Sequence, residues 1–311
     1  MKKNPWTTLL VLLVVFGSLF VILVGTSVYH FMGEPGAKVT AKNSILHLEL
    51  NGIIIDSKKF LKQLVKYRKN DHIKAVVVEV NSPGGVVGPS QEIYEELRKV
   101  REEFKKPVVV VSSGLLASGA YYVAVAGDKI LVQPGTMVGS IGVIMEFVNL
   151  EKLYDWAKVG RYSITTGKYK DSGAEYRPMR EDERALFQDM INDVWNQFKD
   201  AVADGRNLEM DQVEKYADGR VITGSQAVQL GFADGFGTLE DAYETAADLA
   251  NLDDYEVFDP PKKRPGIFDL IAVEDEEMSG QFGRQIDGVM KKIFRTELAN
   301  KPLFLMPGAI E

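Results

Sequence analysis

Ile73-Lys-Ala-Val-Val-Val-Glu-Val80 runs directly into the turn Asn81-Ser-Pro-Gly-Gly85, and a helical pattern follows. A short valine-rich run of this kind reads as a strand buried on both faces, the habit of parallel sheets. Ile93, Leu97, Val100 and Phe104 then recur at spacings of 4, 3 and 4, one face of a helix from about Ser90 to Phe104. Pro107 to Val111 is a second valine run, followed by a short loop and a helix near Ala117–Ala126. Strand, turn, helix, strand, turn, helix is the βαβ pattern, so the chain is α/β with a largely parallel sheet.

Upstream, Ile45–Leu50 alternates as a strand, and Ser57 is placed to cap a helix through Lys69 that carries Phe60, Leu61, Leu64 and Val65 on one face. Downstream, the pattern predicts a strand near Lys129–Val132, a helix near Leu150–Lys158 and a strand near Tyr162–Thr165. A long amphipathic helix from about Glu181 to Ala203 carries Leu186, Phe187, Met190, Ile191, Val194, Phe198 and Val202, with Gly205 as its stop. Thr238 and Asp241 form a capping-box pattern for a last helix to about Leu249. After Asp259 the composition shifts: Pro260–Gly266 reads as a linker, and Glu274–Glu277 is an acidic cluster. Phe282, Ile286, Val289 and Ile293 recur at helical spacing, and Pro302-Leu-Phe-Leu-Met-Pro307 is apolar.

The N-terminus has a different character. Lys2 and Lys3 precede Leu9–Val24, which is apolar apart from Gly17 and Ser18. That length suits one transmembrane helix, and it exceeds the apolar core of a cleaved signal peptide. The two lysines favour an N-terminus kept in the cytoplasm, which puts the rest of the chain outside the membrane. The expected domains are therefore 1–32 (cytoplasmic N-terminus and anchor), 33–43 (linker), 44–258 (catalytic domain) and 259–311 (C-terminal extension). Across 311 residues, 45% hydrophobic and 26% charged is a globular composition, and a net charge of −7 gives no electrostatic reason to expect nucleic-acid binding. The absence of cysteine excludes disulfides, thiolate metal sites and a cysteine nucleophile.

In a parallel α/β sheet, ligands bind beyond the carboxyl ends of the strands. Two loops lie there, Asn81–Val87 and Ser112–Gly119. Ser118 would open a helix after a buried strand, as a nucleophile facing free N–H groups or simply as an N-cap. A serine nucleophile needs a base. The three histidines, His30, His47 and His72, are poorly placed for that role. Leu116 breaks the G-x-S-x-G elbow, no H-E-x-x-H occurs, and Gly167-Lys168-Tyr169 fails the phosphate-loop pattern. Lysine remains. Lys168 and Lys170 both follow a strand pattern, and their spacing does not choose between them.

Asn81-Ser-Pro-Gly-Gly85, Gly114-Leu-Leu-Ala-Ser118-Gly-Ala-Tyr-Tyr122, Gly139-Ser-Ile-Gly-Val143, Gly167-Lys-Tyr-Lys170 and Gly219-Arg-Val-Ile-Thr-Gly224 occur in one order. In that order, over about residues 44–250, the chain resembles peptidase family S49, the signal peptide peptidase A family, in its short membrane-anchored form. The resemblance implies a crotonase/Clp protease-like fold and a serine endopeptidase with a Ser–Lys dyad. It matches Ser118 to the nucleophile, Lys170 to the general base, Gly85 to the oxyanion hole and Ser140 to a serine that orients the lysine. The Gly119 N–H could add a second oxyanion donor. It implies no metal or cofactor. The implied partners are the lipid bilayer and peptide substrates: released signal peptides and other membrane-derived or misfolded polypeptides. It also implies a homo-oligomeric ring in which neighbouring protomers share each site. The rivals are a crotonase-fold acyl-CoA enzyme and a non-catalytic membrane scaffold. The apolar Leu303–Met306 segment reads either as a packed extension or as a strand in a peptide groove, its own or a neighbour's.

Overall fold

The computed structural model describes residues 6, 13–20, 42–261 and 301–306. The chain divides into two units, Met1–Thr40 and Ala41–Glu311. In the first, Trp6 and residues 13–20 are helical, and the remainder of the expected anchor lies outside the described residues. Among the described residues no helix is long and apolar enough to cross a membrane. The expected linker at 33–43 falls almost wholly outside the described residues, as do the acidic cluster and the helical pattern at 282–293.

The second unit contains, among its described residues, β1 (Ser44–Asn51), β2 (Ile73–Asn81), β3 (Gly84–Val86), β4 (Val108–Ser112), β5 (Leu115–Ala117) and β6 (Lys129–Val132). They are followed by β7 (Met137–Gly139), β8 (Val221–Thr223), β9 (Gly235–Phe236), β10 (Glu256–Phe258) and β11 (Leu303–Leu305). Six strands form one sheet in the order β10-β1-β2-β4-β6-β9, and every pairing in it is parallel. The valine runs sit at its centre, with Val76 opposite Val108 and Val78 opposite Val110. Pleating sends alternate residues to opposite faces. Ile45, Ala75, Val77, Val109 and Leu131 meet Ala242, Tyr243 and Ala246 of the Leu239–Leu249 helix. The opposite set, including Leu46, Val76, Val78 and Val110, is fully buried on the other face. The helices Lys58–Tyr67 and Val87–Glu102 pack against strands of this sheet and against each other.

Beyond the carboxyl ends of β2 and β4 the chain continues into a second tier. β2 leads to β3, and β4 leads to β5, which pairs with β7 and is bridged to Ser82 through Leu116. This places both loops singled out from the sequence on one end of the sheet, as the parallel topology requires.

Four local expectations are corrected. Tyr162–Thr165 is not a strand: the stretch forms no ladder, and Ile164 is 95% exposed. The long helix runs Glu181–Arg206 and ends at Asn207, whose φ of 51° is left-handed. Gly205 lies inside it, where an added Cβ would sit 2.2 Å from the Val125 carbonyl oxygen. Ser57 precedes the Lys58–Tyr67 helix without capping it, because its hydroxyl binds the Glu92 carboxylate. The apolar face of the long helix is buried at Phe198 and Val202 and exposed at Leu186 and Met190.

Candidate active site

Ser118 sits between β5 and the short helix Gly119–Ala124 with φ 54° and ψ −120°. That is a costly conformation for a residue with a Cβ, of the kind that persists only when the surroundings impose it. Here its N–H donates to the Gly139 carbonyl at 2.7 Å, and Tyr122 N–H donates to its own carbonyl at 2.9 Å. Its side chain does not cap the helix. The residue is fully buried, and its Oγ has no hydrogen-bond partner among the described residues. A buried hydroxyl without a partner is unfavourable, so the N-cap explanation of this serine fails on geometry.

The wall facing Ser118 is β3. Gly84 has φ +96°, and a Cβ there would lie 2.1 Å from Phe304 O, 2.6 Å from Gly119 N and 3.0 Å from Ser118 Cβ. Three groups thus converge on the space that only glycine leaves open: the Phe304 carbonyl, the Gly119 amide and the Ser118 side chain.

Phe304 belongs to β11, which lies antiparallel on β3 with Leu303 opposite Val86, Phe304 opposite Gly85 and Leu305 opposite Gly84. Met306 N–H donates to Pro83 O at 2.9 Å and Val87 N–H to Pro302 O at 3.4 Å. Antiparallel pairs alternate between bonded and unbonded, so Phe304 and Gly85 form the bonded pair between these two. The Gly85 N–H therefore donates to the Phe304 carbonyl. On its other edge β11 is held by Ile144, with reciprocal bonds to Leu303 of 2.9 and 3.0 Å. The tail is a strand filling a cleft, one of the two readings its apolar sequence allowed, and the carbonyl it presents at Ser118 is that of Phe304.

Side chains alternate along the tail. Leu303 and Leu305 pack with Ile53, Val86 and Ile144. Phe304, 0% exposed, stacks on Tyr122 with centroids 5.0 Å apart and leans on Phe198 at 4.7 Å. Burial pushes the Tyr122 phenol up to about 12, so this wall is uncharged at working pH. Beyond Leu305 opens a cavity of about 340 Å³ lined by Ser140, Ile144, Ile191 and Trp195 among others. Ser140 is buried with φ 51°, held by a 2.8 Å bond from its N–H to Arg220 O. It directly follows Gly139, which anchors Ser118.

Neither lysine bonds the Ser118 hydroxyl. Lys170 lies exposed in the 167–173 turn, and its side chain makes no hydrogen bond or ion pair among the described residues. Lys168 pairs with Asp182 at 2.7 Å, and that hydrogen bond raises its pKa. The loop is braced from below. Arg180 Nη2 donates to Lys168 O at 2.8 Å, and Arg177 Nη2 donates to Asp171 O at 3.0 Å. Both guanidinium groups reach the fully buried Glu183 carboxylate, whose pKa Arg177 above all pulls down to about 2. Within one chain the structure brings Ser118, Gly85, Gly119 and Ser140 to one cleft, and Lys170 makes no hydrogen bond to the Ser118 hydroxyl. His47 is bound to Asp259 at 2.6 Å and serves no serine. Among the described residues no group of three or more His, Asp or Glu side chains is arranged to hold a metal ion.

Sequence reading gave Tyr122 and Phe198 no role in the site, and it named Gly84 only with Gly85, as a turn glycine that exposes backbone N–H groups. The only signal for Gly84 was the doubled glycine, and Phe198 looked like an ordinary core position of its helix.

The family model described as Peptidase family S49 matches residues 101–253, and that described as Clp protease matches residues 42–138. A Synechocystis protein provisionally named a protease is 39% identical over 217 residues, covering 70% of this chain and 78% of its own. A Methanocaldococcus jannaschii protein, also provisionally named a protease, is 34% identical over 310 residues, 95% of this chain and 99% of its own. An Enterococcus faecium protein provisionally named signal peptide peptidase SppA is 32% identical over 239 residues, 73% of this chain and 68% of its own. The α/β fold with its mostly parallel sheet, the cleft at Ser118 and these matches agree: the chain belongs to peptidase family S49 and is an SppA-like peptidase.

Proposed function

We propose that the protein is a serine endopeptidase in which Ser118 is the nucleophile and Lys170 the general base. The observation that carries this reading is the peptide already in the cleft, whose Phe304 carbonyl meets the Gly85 N–H beside a buried, unpartnered Ser118 hydroxyl. An incoming polypeptide would pair with β3 in the same way. Ser118 Oγ attacks the presented carbonyl carbon, and its proton passes to the Lys170 amine acting as base. The Gly85 N–H, joined by that of Gly119, holds the oxyanion. Collapse expels the amine product with the proton returned by the lysine, and water then hydrolyses the acyl-Ser118. Lys168 is the poorer base, because Asp182 favours its charged form.

Lys170 is exposed and makes no bond to the buried Ser118 hydroxyl, so in this reading the base is taken from a second copy of the chain. Val148, Leu153, Trp156, Val159, Tyr162 and Ile164 are exposed along the stretch leading to Lys170, an apolar surface suited to a neighbour in a ring. The Leu9–Val24 segment would anchor each subunit, with the catalytic domain outside the cytoplasmic membrane. The substrates are then released signal peptides and other apolar, membrane-derived chains.

Coassembly of Ser118→Ala with Lys170→Ala subunits tests the sharing of sites. Partial recovery of peptide hydrolysis is expected, and no recovery in verified mixed oligomers would refute a lysine in trans. Labelling by a fluorophosphonate that vanishes in Ser118→Ala tests the nucleophile. An unlabelled wild type would point to a scaffold or an acyl-CoA enzyme instead.

A further inference from the structure

We propose that the cleft selects an aromatic residue on the acyl side of the scissile bond, with Tyr122 and Phe198 as the specificity-determining residues. This rests on Ser118 being the nucleophile. Given that, the residue whose carbonyl lies at Ser118 is the one whose carbonyl is attacked, and β11 places Phe304 there.

The pocket around Phe304 fits a flat ring. Tyr122 lies nearly parallel to it, at 19°, and Phe198 crosses it at 52°. Tyr122 and Phe198 also contact each other at 5.0 Å, and Tyr94 meets the far edge of Tyr122 at 4.9 Å, so the box is built of mutually supporting rings. The floor is closed by Gly119, where an added Cβ would stand 3.1 Å from Phe304 Cβ and 2.6 Å from Ser90 Oγ. Phe304 is wholly removed from solvent. An alanine in its place would leave that volume unfilled, and filling an apolar pocket is what discriminates side chains of different size. The next residue on the leaving side takes the place of Leu305, in the apolar cluster that Leu303 and Leu305 form with Ile53, Val86 and Ile144, and beside the 340 Å³ cavity. The favoured sequence is therefore aliphatic–aromatic–aliphatic, with cleavage after the aromatic residue.

Quenched peptides Leu-X-Leu, with X as Phe, Leu or Ala, test this on the full-length oligomer. Because the tail competes equally with every peptide, ratios of kcat/KM do not depend on its occupancy. Wild type should favour Phe over Ala by about 30-fold or more, the worth of burying a ring. Phe198→Ala and the better-packed Phe198→Leu should each cut that ratio at least several-fold, and mass spectrometry should place the cut after X. A ratio near one in wild type, or one unmoved in both Phe198 variants, would overturn the selectivity while Ser118-dependent cleavage leaves the peptidase reading intact. Cleavage that survives Ser118→Ala would overturn that reading instead.

Discussion

Phe304→Ala should turn the tail from an occupant of the cleft into a weak competitor. Phe304 is the anchor of the strand: it is 0% exposed and sits between Tyr122 and Phe198. Losing the buried ring removes about 2 kcal/mol of apolar burial. The two ring contacts add about 1 kcal/mol together. A loss of about 3 kcal/mol lowers the internal tail–cleft equilibrium roughly 100-fold. With the tail bound in most molecules, the apparent KM for an external peptide is raised by the factor of that equilibrium. It should fall at least tenfold in the variant and then level off once the tail is mostly released. The variant leaves the substrate's own contacts in place, so kcat should change little. Initial rates against a quenched peptide measure both constants, with light scattering to check that variant and wild type assemble alike. An unchanged KM with unchanged light scattering would refute the argument and reduce β11 to packing.

Lys170→Ala should abolish hydrolysis about as completely as Ser118→Ala, and Lys170→Arg should fail too because a guanidinium stays charged, while Lys168→Ala should keep most activity; the reverse pattern in a rate assay would reassign the base. Gly84→Ala should cost at least 100-fold in kcat/KM, since φ +96° disfavours a Cβ that would also stand where the presented carbonyl lies; near-normal rates would show that the peptide binds elsewhere. Glu183, held at about 2 from an ordinary 4.5, contributes stability that is full above about pH 4.5 and is lost as the pH falls toward 2. Calorimetry of Glu183→Gln over that range should show a lower Tm at pH 5 and a flatter acid slope than wild type, whereas parallel slopes would mean that another carboxylate governs acid unfolding.

Much of this was legible in the chain. The valine runs at Val76–Val78 and Val108–Val111 needed no partner to be recognised, because burial on both faces leaves its mark in composition. Ser118 and Gly85 were legible as a motif, and the Leu303–Met306 tail as a stretch of apolar residues without a helix. Tyr162–Thr165 misled because alternation of apolar and polar residues marks a strand only where a neighbouring strand exists, and none pairs there. Asn207 rather than Gly205 ends the long helix because the helix needs a glycine at 205 for close approach to Val125, a tertiary demand invisible to local pattern. Phe198 sits 106 residues from Phe304, and helical periodicity reports that a position is buried but not against what.

The tail is covalently part of the molecule it occupies, and that has a kinetic meaning. A tethered segment meets its site at an effective concentration on the order of millimolar, whatever the dilution of the protein. A free peptide at micromolar levels is outnumbered about a thousandfold on that scale. Under the proposed membrane anchoring, crowded apolar polypeptides lying in the same plane as the enzyme would not be. On that reading the Leu303–Leu305 strand acts as a threshold, leaving the cleft closed to sparse peptides and open where apolar chain ends accumulate.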